Sequence, residues 1–61
     1  MERVDFHEHD TDSSAFVVIS RTDGLVSIGF GIEANGDLTM VVTPADGRRL
    51  GQAILAAAAS P

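Results

Sequence analysis

Sixty-one residues make a single small domain at most, near the lower size at which a chain folds alone. Cysteine is absent, so neither disulfides nor a thiolate metal centre can reinforce it, which leaves a well-formed core or oligomerisation. A net charge of −5, with every basic residue an arginine, argues against nucleic acid as a partner, because phosphate binding needs clustered cations. No apolar run approaches the roughly 18 residues that span a membrane. The acidic start argues against a signal peptide, and a cytoplasmic protein is the expectation.

In chain order, residues 1–14 divide into an alternating segment, in which Val4 and Phe6 interleave with Asp5, His7 and His9, and a turn-forming cluster from Asp10 to Ser14. The alternating segment is either a short strand or an acidic, disordered arm. Ala15 to Thr22 is β-branched and aromatic and predicts a strand. Asp23-Gly24 is a two-residue hairpin signal for a type I′ turn, which leads into a strand from Leu25 to Ile32. That turn sets Arg21 opposite Val26, Ile19 opposite Ile28, Val17 opposite Phe30 and Ala15 opposite Ile32, so the larger apolar residues share a face.

For the next hairpin a three-residue loop, Ala34-Asn35-Gly36, keeps the apolar residues of Asp37 to Val42 on that same face. It predicts Ile32 opposite Leu38, Phe30 opposite Met40 and Ile28 opposite Val42. Thr43 is an N-cap candidate and Pro44 suits the first helical position, with Asp46 placed to complement the positive end of the helix. The helix runs over 44–59, and about 100° per residue gathers Leu50, Ala53, Ile54 and Ala57 into an apolar stripe. About 16 helical residues span roughly 24 Å, close to the roughly 23 Å of seven strand residues. The predicted fold is α+β: an antiparallel meander of three or four strands over 15–42, with or without the 1–14 segment, and one C-terminal helix packed on one face.

Four features are not needed for that core. The opposite sheet face carries Phe16, Val18, Gly29, Gly31 and Val41 with no charge at its centre, and it is expected to be a partner or self-association surface. Gly51 and Leu55 on the helix flank are further interface candidates. Arg48 and Arg49 oppose the helix dipole, and are either solvated or ion-paired with the N-terminal acids Glu2, Asp5, Glu8, Asp10 and Asp12. Asp5-x-His7-x-His9 has the donor types of a zinc, copper or nickel site but lacks a further fixed ligand, so neither metal nor cofactor is expected. No nucleophile stands beside a base in a known motif, which argues against an enzyme.

The segment Leu38-Thr39-Met40-Val41-Val42-Thr43-Pro44, followed by Leu50 and Ala53-Ile54-Leu55, resembles small uncharacterised proteins of GC-rich bacteria and their phages. That resemblance implies a cytoplasmic location and assigns no residue a role. The expected function is a non-enzymatic, homodimeric interaction module. The alternative is a small acidic inhibitor or decoy that binds a basic surface of a host protein.

Overall fold

The computed structural model describes residues 1–59, in which the alternating N-terminal segment is ordered as strand β1 (Glu2–Glu8) against β2 (Ser13–Thr22). Strands β3 (Leu25–Ile32) and β4 (Gly36–Val42) follow, and helix α1 (Pro44–Ala59) completes an α+β fold. Each strand pairs antiparallel with its predecessor, so the order across the sheet is the order along the chain.

β1 docks through apolar cross-strand pairs, Val4 with Val17 and Phe6 with Ala15. Its loop to β2 is tied from within. The Glu8 carboxylate accepts hydrogen bonds from the amides of Asp10 (3.2 Å) and Thr11 (2.6 Å) and from the Thr11 hydroxyl. At the β2–β3 turn Asp23 and Gly24 both have positive φ, 52° and 77°, as a type I′ turn requires. Every pair expected across these two strands is present.

The β3–β4 hairpin differs from expectation by two residues. Its loop is Glu33-Ala34-Asn35, closed by the Asn35 amide donating to the Ile32 carbonyl at 2.9 Å, and Gly36 (φ 89°) is already paired with Ile32. Phe30 therefore faces Leu38, Ile28 faces Met40 and Val26 faces Val42. A shift of two leaves every side chain on its intended face, so alternation alone does not separate the two registers.

Thr43 caps the helix as expected: its hydroxyl accepts from the Asp46 amide at 3.2 Å and its carbonyl from the Gly47 amide at 2.9 Å. The seat of the helix is not the expected one. No residue of α1 is buried, and the stripe Leu50, Ala53, Ile54, Ala57 does not close on the sheet. The approach is at Gly47, where an added Cβ would lie 3.5 Å from Val26 Cγ2, whereas one at Gly51 would meet nothing within 4 Å. With only Thr43 between β4 and α1, the first turn is held to the sheet and the rest of the helix stands off it. Among the described residues the only buried apolar side chains are those of Ala15 and Ile28, and the molecule is a slab of 34 × 30 × 15 Å.

Candidate functional site: an open apolar trough and its reverse face

The gap between helix and sheet is an open trough of about 600 Å³. Phe6, Ile19, Phe30 and Met40 line its floor, and Leu50, Gly51 and Ile54 line the helix wall. Phe6, Phe30, Met40 and Leu50 all keep more than a third of their surface exposed, and Ile54 is 69% exposed. These residues belong to the face that the sequence assigns to the core. The reason they stay open is the helix itself. Its only large apolar side chains are Leu50, Ile54 and Leu55, too few to cover four strands, and its remaining length is mostly alanine and glycine. That shortage is visible in the sequence and is the signal that marks this face.

Among the described residues, the trough lining carries charge only as arginine. Arg21 and Arg48 lie in its lining. Among the described residues neither has an acidic partner within the chain. Glu2 lies opposite Ile19 and Glu8 opposite Ser13, which places both acids on this same face along the β1 edge.

The reverse face holds Phe16, Val18, Gly29, Gly31 and Val41. The Phe16 ring lies over Gly31, where a Cβ would collide with the ring. The Arg3 guanidinium covers the ring in turn at 4.3 Å from its centroid, and Arg3 is itself anchored by Asp5 at 3.0 Å. Thus the ordered β1 brings Arg3, Asp5 and His7 onto one edge of a face that is uncharged across β2 and β3 and carries Asp37 in β4. A Cβ at Gly29 would make an ordinary contact, 3.6 Å from Thr39 Oγ1. Val41 stays 59% exposed. Of the two helix candidates, Gly51 lines the trough, whereas Leu55 is 71% exposed.

The charged clusters resolve into local pairs. Arg49 bonds Asp46 at 3.0 Å, one turn earlier on its own helix, while its side chain stays 81% exposed, so it is solvated as expected and its acid partner is not one of the N-terminal acids. His7 Nε2 is 2.8 Å from Asp12 Oδ1, and His9 falls in the loop beyond β1, fully exposed. Asp5, His7 and His9 therefore do not share a strand face, and among the described residues no three His, Asp or Glu side chains converge as a metal set. The Thr11 hydroxyl, followed by the Thr11 and Asp10 amides, holds the Glu8 carboxyl below the usual carboxylate range.

Among the described residues no helix is long and apolar enough to cross a membrane. Compared with known proteins, the chain matches no protein family, no curated protein and no solved structure.

Proposed function

We propose that the chain is a non-enzymatic, cytoplasmic protein–protein interaction module that works as a self-associated dimer. One observation carries this reading: the face built to be a core is left open, with Ala15 and Ile28 its only buried apolar residues among those described. An amphipathic sheet must bury that face against another layer, and this chain's own helix supplies too little of one. The distribution of acids favours the dimer over the decoy. Asp5 and Asp46 are each paired with a local arginine, Asp12 with the His7 imidazole and Glu8 with its own loop, so these four acids are tied up locally rather than aligned as an anionic track. Sedimentation equilibrium from micromolar to millimolar protein tests the proposal. A mass of twice 6.4 kDa is expected, and 6.4 kDa throughout would overturn it.

A further inference from the structure

We infer that the occupant of the trough is the trough face of a second copy, laid on the first about a two-fold axis, with each helix α1 filling the other copy's gap. This rests on the proposed self-association and adds the surface and the manner in which it occurs.

The size of the exposed surface is the first argument. A compact chain of 6.4 kDa should expose about 3,800 Å², and this one exposes 4,786 Å², an excess of about 1,000 Å². A standard-sized protein interface removes about 800 Å² from each partner, so the excess is what one such interface would cover. The radius of gyration agrees: 12.6 Å, against about 10.5 Å for a compact chain of this length.

The second argument is self-complementarity. A two-fold interface demands that one surface supply both the filler and the slot. The trough face does so. Ile54 projects from the helix wall with little to touch, and Phe6, Phe30 and Met40 floor a gap that it does not fill in its own chain. Gly47 and Gly51 are one turn apart on the wall, and space beside Gly51 is open for another backbone to approach. Charge is the third argument. Arg48 on the helix wall has no acidic partner among the described residues, and Glu2 is at the β1 edge of the same face. Two such faces opposed about a two-fold axis can set the cationic side of each against the acidic edge of the other, which stacking in a single orientation does not.

The test is made on the full chain. Sedimentation equilibrium is run on wild type, Ile54→Glu and, as control on the reverse face, Val41→Glu. In parallel, isotope-filtered nuclear Overhauser spectra are recorded on a sample mixed from labelled and unlabelled chains. The expectation is a dimer for wild type and for Val41→Glu, and for Ile54→Glu either single-chain mass or loss of the helical circular dichroism signal. Cross-copy Overhauser effects should connect the Ile54 methyl groups to the Phe6 and Phe30 rings. A dimer that survives Ile54→Glu, is broken by Val41→Glu and lacks those cross-copy signals would overturn the trough assignment while leaving self-association in place. Single-chain mass for wild type at millimolar concentration would overturn both, and would leave the trough to a partner other than this chain.

Discussion

Gly31 and Gly29 lie two residues apart on the same face of β3, yet they answer to different constraints. A side chain at Gly31 would occupy the space of the Phe16 ring and crowd Asp37, so Gly31→Ala must push the ring out from beneath Arg3. Overpacking of that kind costs about 1 to 3 kcal/mol, and urea melts should show a loss in that range. Gly29→Ala meets only ordinary contacts and should be neutral or mildly stabilising in the same melts, since glycine is a poor strand residue. At Glu8 the effect is electrostatic. Its folded carboxyl lies below the usual range because the Thr11 hydroxyl and nearby amides bond to the charged form. A depressed folded value means that the loop gains stability above the usual carboxylate range and loses it as the pH falls through the folded value. Carboxyl-detected NMR titration should place Glu8 below the value for a model peptide, and Thr11→Val should move it back upward.

At the scale of elements, the signals that survived into the structure are those that specify backbone conformation. Asp23-Gly24 demands two positive φ angles and so dictates the β2–β3 register residue by residue. Thr43-Pro44 marks the helix start, and losing the cap by Thr43→Ala should cost about 1 kcal/mol. Denaturant melts within a few tenths of wild type would contradict that role for the hydroxyl. What alternation and periodicity left undetermined is equally specific. The β3–β4 register was not legible because two pairings of equal parity satisfy the same pattern, and the Ile32–Asn35 hydrogen bond chooses between them. The seat of α1 was not legible because periodicity ranks faces of a helix without saying whether any of them reaches the sheet. Here Gly47 is the contact and the alanine-rich remainder stands clear. The pairing of Arg49 with Asp46 was present in the sequence as an i, i+3 spacing.

For the whole molecule, a slab with two buried apolar side chains among the described residues draws little stability from its own interior. If the open face is covered by association, the melting temperature must rise with protein concentration by mass action. Scans at increasing concentration should show this for wild type, and Ile54→Glu should abolish the slope. The strand order carries a kinetic consequence as well. Each strand pairs only with its neighbour in the chain, so no pairing waits on the closure of a long loop. Topologies dominated by such local contacts fold fast for their class. The sheet can therefore form within a single chain, ahead of any association. If the trough face is shared between copies, as proposed, the slow phase of refolding is bimolecular and accelerates with concentration. A newly made, still dilute chain then passes through an interval in which a finished sheet displays its apolar face to chaperones and proteases, and the length of that interval is set by how many copies are already present.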